Sequence, residues 1–158
     1  MQPRIDYRKY AQEPLQQLLA IEKYIAENGL EPKLIHLIKM RASQINGCAY
    51  CLDMHSIDAR TAGESEQRLY TLEAWRETPF FSERERAALA WTEAVTLISQ
   101  THAPDDVFAD LQKHFSEKEI VDLTLVTAMI NLWNRVAIST RAVPGHYRPA
   151  KSTSAASS

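Results

Sequence analysis

Residues 116–140, SEKEIVDLTLVTAMINLWNRVAIST, constrain the fold of this chain more than any other stretch. Ser116 and Glu119 form an S-x-x-E capping box, in which each side chain satisfies a backbone N–H of the other at a helix start. Beyond it, Ile120, Val121, Leu123, Leu125, Val126, Met129, Ile130, Leu132, Trp133 and Val136 fall on almost every face of a helix. The pattern predicts one long helix from 117 to about 140. A helix apolar nearly all round belongs at the centre of a domain or in a subunit interface.

The rest of the chain reads the same way. Leu15, Leu18, Leu19, Ile21, Glu22 and Ile25 trace a mostly apolar stripe, which predicts a helix from Pro14 to Asn28 closed by Gly29. Pro32 suits the first turn of a second helix over 32–46, with Leu34, Ile35, Leu37, Ile38 and Ala42 on its apolar face and Gly47 as its stop. A third helix begins at or near Cys48 and runs to Ala62, before Gly63. Further helices are expected over Glu66–Arg76, over 83–99 behind a second capping box of Ser82 and Glu85, and briefly after Pro104. No run alternates apolar and polar residues as a half-buried strand would. The expected fold is therefore all-α, a bundle of about six to seven helices. Residues 1–145 read as a single domain and 146–158, ending in KSTSAASS, as an irregular, disordered tail.

Composition narrows the function. At 158 residues, a chain can bury a core without disulfide staples. Its net charge of −2 lacks the basic footprint of a nucleic-acid binder. No apolar run is long enough for a membrane span, and MQPRIDYRKYAQEP carries no apolar segment of a secretory signal. The expected location is cytoplasmic, where a close cysteine pair is more often catalytic or metal-binding than structural.

Both cysteines lie in NGCAYCLDMH, residues 46–55. On one helix, Cys48, Cys51 and His55 fall within about 60° of one another. Cys51 and His55 are an i, i+4 pair, close enough for a thiol–imidazole contact. Both thiols sit in the first turn, where unpaired N–H groups and the positive end of the helix dipole favour a thiolate. A haem attachment C-x-x-C-H fails, because position 52 is Leu52. A structural zinc site would need a fourth ligand beside Cys48, Cys51 and His55, for which His36 is the candidate. Two buried cysteines serving as small apolar residues are the plain alternative. Spacing alone leaves open which thiol attacks, since the dipole favours Cys48 and the histidine favours Cys51.

The segment RASQINGCAYCLDMHSIDARTAG, residues 41–63, resembles the core motif of the alkyl hydroperoxidase D-like proteins of the carboxymuconolactone decarboxylase family. INLWNR, residues 130–135, resembles a stretch of its single-domain members. The resemblance implies an all-helical homo-oligomer (dimer, trimer or hexamer) that reduces peroxides with a cysteine pair. It implies Cys51 as the peroxidatic cysteine, Cys48 as the resolving cysteine and proton donor, and His55 as the relay histidine. The family glutamate twelve residues before the first cysteine is His36 here, and Tyr50 stands where some members carry a second histidine. His36 can act as a base near neutral pH but supplies no fixed negative charge.

The expected function is a thiol-dependent (alkyl hydro)peroxidase, a disulfide-cycling antioxidant. It needs no bound cofactor and no metal. An external dithiol, such as a lipoyl group or an adaptor protein, would reduce it. The rival readings are a redox-sensing or zinc-clipped helical oligomer and a decarboxylase-type lyase. The cysteine pair speaks against the lyase, because that branch generally lacks it. His102, His114 and His146 read as solvated; Asn131, Asn134 and Arg135 read as polar groups that fix helix ends or a subunit contact.

Overall fold

The structure, a computed structural model, describes residues 1–149. Among them are nine α-helices, one 3₁₀ segment and no strand. The helices are α1 (Tyr7–Tyr10), α2 (Gln12–Glu27), α3 (Pro32–Asn46), α4 (Ala49–Thr61), α5 (Glu66–Thr71), α6 (Glu83–Thr96), α7 (Ile98–Thr101), α8 (Asp105–Leu111) and α9 (Glu117–Thr140). The 3₁₀ segment is Leu72–Glu77. The all-α expectation holds, and the KSTSAASS stretch lies outside the described residues.

The helices that differ from expectation account for the higher count. Asp6 caps a four-residue α1 that no apolar period announced, its side chain accepting the Arg8 N–H at 3.1 Å. α2 starts two residues before Pro14, which sits in the first turn, where its missing N–H has no partner to lose. The expected 66–76 helix gives way to the 3₁₀ segment and breaks at Ala74 (φ −104°, ψ 31°). Trp75 is thereby buried, its indole N–H donating to Glu93 Oε1 at 2.8 Å. The expected 83–99 helix ends at Thr96, and the chain bends at Leu97 before α7. Thr96 Oγ1 accepts from Asn131 Nδ2 at 3.0 Å, a tertiary contact invisible to local pattern.

α3 is the hub, packed against α4, α6 and α9. Its long face joins α2, α6, α8 and α9 through Ile25, Leu34, Ile38, Trp91, Leu111, Phe115, Leu123 and Val126. A second cluster gathers Leu37, Met40, Ala59, Leu72, Trp75, Phe81 and Leu89 around α4, α5 and the 3₁₀ segment. Between α3, α4 and α9, Ala42, Ile130 and Ala137 enclose the two cysteines. Arg84 clamps the outer ends, pairing with Glu31 and Glu119 and donating to the His114 carbonyl.

α9 runs over the expected span, with both Ser82–Glu85 and Ser116–Glu119 closed as capping boxes. It is not wholly enclosed: Val121 and Leu125 are 58% and 40% exposed. No helix of the described residues is long and apolar enough to cross a membrane.

Candidate active site

Gly47 ends α3 in the left-handed conformation (φ 67°), which a β-carbon disfavours, and turns the chain straight into α4. Cys48 is the N-cap of α4, so the helix begins one residue later than a first-turn Cys48 would require. Its sulfur takes the role of a capping oxygen, accepting the Cys51 N–H at 3.3 Å. Cys48 and Cys51 are joined as a disulfide, with Cα atoms 5.4 Å apart.

The turn is held by polar side chains of α9. Asn46 Nδ2 donates to Asn131 Oδ1 at 2.9 Å and to Asn134 Oδ1 at 2.8 Å. Asn134 Nδ2 donates to Ser43 Oγ at 3.0 Å, and Asn131 Nδ2 also reaches the Thr127 carbonyl. Arg135 donates to the Asn131 carbonyl and to its Oδ1. Asn131 and Asn134 thus tie the end of α3 to α9 two residues before Cys48, one of the two roles read for these groups, while Arg135 bonds only back to Asn131.

A cavity of about 490 Å³ opens beside the disulfide. Cys51 and His55 line it; Cys48 does not. Its apolar walls are Tyr7, Leu15, Leu19, Met54, Trp133 and Ala137, and its polar groups are Arg8, Glu22, Lys39, Tyr50 and Asp58. Tyr50 occupies the rim, its hydroxyl accepting from Arg8 Nη2 at 3.2 Å.

His55 is buried, and burial holds its pKa below the ordinary value, so it is a neutral imidazole at neutral pH. Its Nδ1 has no hydrogen-bond partner. Asp58 Oδ2 lies 3.7 Å from that nitrogen, too far for a hydrogen bond. Burial pushes the Asp58 carboxyl up, but His55 and the Tyr147 hydroxyl outweigh it and hold the group below the usual range. Tyr147 O–H donates to Asp58 Oδ1 at 2.7 Å, and its own pKa is pushed up to about 12 by burial and by that carboxylate.

His36 lies on α3, half-buried, and is absent from the cavity wall. Its Nδ1 is buried without a partner, and burial, then the neighbouring His55, lowers its pKa. Cys51 and His55 thus meet at the cavity, whereas His36 stands behind them. Among the described residues no three His, Cys, Asp or Glu side chains gather as a metal site.

Residues the sequence reading did not single out complete the cavity. Lys39 Nζ donates to Glu22 Oε2 at 2.6 Å, and Trp133 Nε1 donates to Glu22 Oε1 at 2.8 Å. The signal for Glu22 was present, since it is the lone carboxylate in the apolar stripe of α2.

An all-helical bundle with a C-x-x-C pair at a helix start, set against a largely apolar cavity, defines a class of cysteine-pair helical proteins. A sequence profile of the carboxymuconolactone decarboxylase family matches residues 12–94, and the chain belongs to that family. The uncharacterized protein YdfG of Bacillus subtilis (strain 168) is 42% identical over 139 residues, 88% of this chain and 95% of that protein. A crystal structure from Agrobacterium tumefaciens, described as of unknown function and as a candidate AhpD antioxidant-defence protein, superposes with a TM-score of 0.89 at 46% identity, covering 92% of this chain and all of that one. An uncharacterized peroxidase-related protein from Silicibacter sp. TM1040 has a TM-score of 0.76 at 28% identity, covering 85% and 71% of the two chains.

Proposed function

We propose that this protein is a thiol-dependent peroxidase that reduces a hydroperoxide with Cys51 and Cys48. The observation that carries this reading is the Cys48–Cys51 disulfide, with Cys51 and His55 together on the wall of an apolar cavity. In the reduced protein the Cys51 thiolate attacks the terminal peroxide oxygen. The O–O bond breaks, Cys51 becomes a sulfenic acid, and the alkoxide leaves and takes up a proton as an alcohol. The Cys48 thiol then displaces hydroxide from that sulfur, forming the disulfide and water. An external dithiol restores both thiols by exchange and is itself oxidised to a disulfide.

Two features support these roles. Cys51 faces the cavity and Cys48 lies behind it among Ala42, Ile130 and Ala137, which suits attack by the first and resolution by the second. His55 is neutral and can accept a proton one turn from Cys51. His36, held neutral beside it, takes the outer place in the relay that the resemblance gives to a glutamate.

The test is a thiol count on reduced protein before and after one equivalent of an organic hydroperoxide. Two thiols per chain should disappear and return on treatment with a dithiol. An unchanged count refutes the peroxidase, and a substrate turnover indifferent to loss of both thiols would point to a lyase instead.

We further propose that the chain works as a homo-oligomer. Val121 and Leu125 form an exposed apolar step on α9 one turn apart. Light scattering at micromolar concentration should give a multiple of the 18.0 kDa chain mass; a value equal to the chain mass contradicts this.

A further inference from the structure

Lys39 is the one buried cation on the cavity wall; Arg8, the other lysine or arginine there, is exposed. A lysine is seldom buried unless its ammonium is paired, and here the pairing is specific. Glu22 Oε2 accepts from Nζ at 2.6 Å, while Trp133 pins the other carboxylate oxygen at 2.8 Å. Among the described residues Glu22 is the only hydrogen-bond partner of Nζ, which carries three donors. The ammonium is therefore held at the cavity wall with bonding capacity to spare, on the same lining as Cys51.

We propose that Lys39 is a positioning cation for the Cys51 thiolate, and that Glu22, braced by Trp133, sets how much of the Lys39 charge reaches the sulfur. This rests on the thiol chemistry proposed above. When Cys51 is a neutral thiol, Lys39 and Glu22 form a closed pair. When Cys51 loses its proton, the ammonium is shared between two anions, one of them the sulfur. A cation close to a thiol in a water-poor site favours the thiolate, and a carboxylate beside that cation opposes it.

The other charged or titratable groups on this wall are His55, Asp58 and Tyr50 on α4 and Tyr7 and Arg8 on α1; His36 on α3 and Tyr147 from the C-terminal segment act on His55 and Asp58 without lining it. Burial keeps the histidines neutral, and the Arg8 guanidinium is exposed and screened by salt. Lys39 also depresses the pKa of both histidines, consistent with a cation whose field reaches this part of the cavity.

The test is the thiolate pKa of Cys51, read from ultraviolet absorbance against pH on reduced full-length protein in a Cys48→Ser background. Lys39→Met, close in size and uncharged, should raise that pKa by about one unit or more and so lower the thiolate fraction near neutral pH about tenfold. Lys39→Arg keeps the charge and should restore most of the shift. Glu22→Gln should move the pKa in the opposite direction, by about half a unit or more.

A merely structural brace predicts the same sign for Lys39→Met and Glu22→Gln, since each variant breaks the same pair. Equal shifts for Lys39→Met and Lys39→Arg, or no downward shift for Glu22→Gln, overturn the proposal. If Lys39→Met does not fold, Glu22→Gln still decides it. Because the titration uses no peroxide, its failure is distinct from failure of the peroxidase reading.

Discussion

Cys51→Ser will lower peroxide-dependent turnover by roughly three orders of magnitude or more, because the hydroxyl that replaces the thiol is a far weaker nucleophile at neutral pH. The variant should still fold, since the change exchanges one small buried group for another at the third position of α4. Cys48→Ser should behave differently. Serine is a better N-cap than cysteine, so the α4 start is kept. Cys51 can then react once with peroxide but has no thiol to resolve its sulfenic acid. One oxidation event per chain, trapped by a sulfenic-acid reagent and followed by no cycling, is the expected result. Full turnover in either variant, measured as hydroperoxide consumed in the presence of a dithiol, would reject the assignment.

Asn134→Leu will cost about 2–3 kcal/mol of stability, because it removes two hydrogen bonds of a fully buried side chain and puts a bulkier apolar group among polar neighbours. Asn134 is fully buried, accepting from Asn46 and donating to Ser43. Leucine does neither and is distinctly bulkier, at a site sealed from solvent. For a domain of this size that loss corresponds to a drop in melting temperature of roughly 5–10 °C. The same change removes one of the two bonds that hold Asn46, two residues before Cys48, so closure of the disulfide after oxidation should slow more than the oxidation itself. Denaturant unfolding measures the first effect and stopped-flow thiol chemistry the second. A stability change under about half a kcal/mol would show that the network is not what holds the turn.

The parts of this fold that were legible in the sequence are those with local chemical punctuation. Pro32 and Gly47 bracket α3, and the two capping boxes mark the starts of α6 and α9. Elements set by tertiary contact were not legible. Nothing near Leu97 announces the bend after α6; it follows from Thr96 being tied to Asn131. The break at Ala74 follows from the seating of Trp75 on Glu93.

The site divides in the same way. Cys48, Cys51 and His55 share a helical face, so helical spacing alone brings them together. Lys39 was hidden because a lysine on an apolar face ordinarily carries its charge out to water along its stem. Only Glu22 and Trp133, far away in sequence, keep it inside. Tyr147 reaches Asp58 from 89 residues further on, beyond any periodicity argument.

That last contact has a mechanical consequence. The irregular segment after α9 is fastened along the outside of α4 at two points, the Gly145 N–H on Asp53 and the Tyr147 hydroxyl on Asp58. α3 and α9 grip the same helix from within. Held from both sides, α4 is anchored against sliding or tilting as a rod. Any rearrangement that accompanies the opening and closing of the sulfur–sulfur bond is then confined to the single turn between Gly47 and Cys51, while the body of the helix and His55 upon it stay in place.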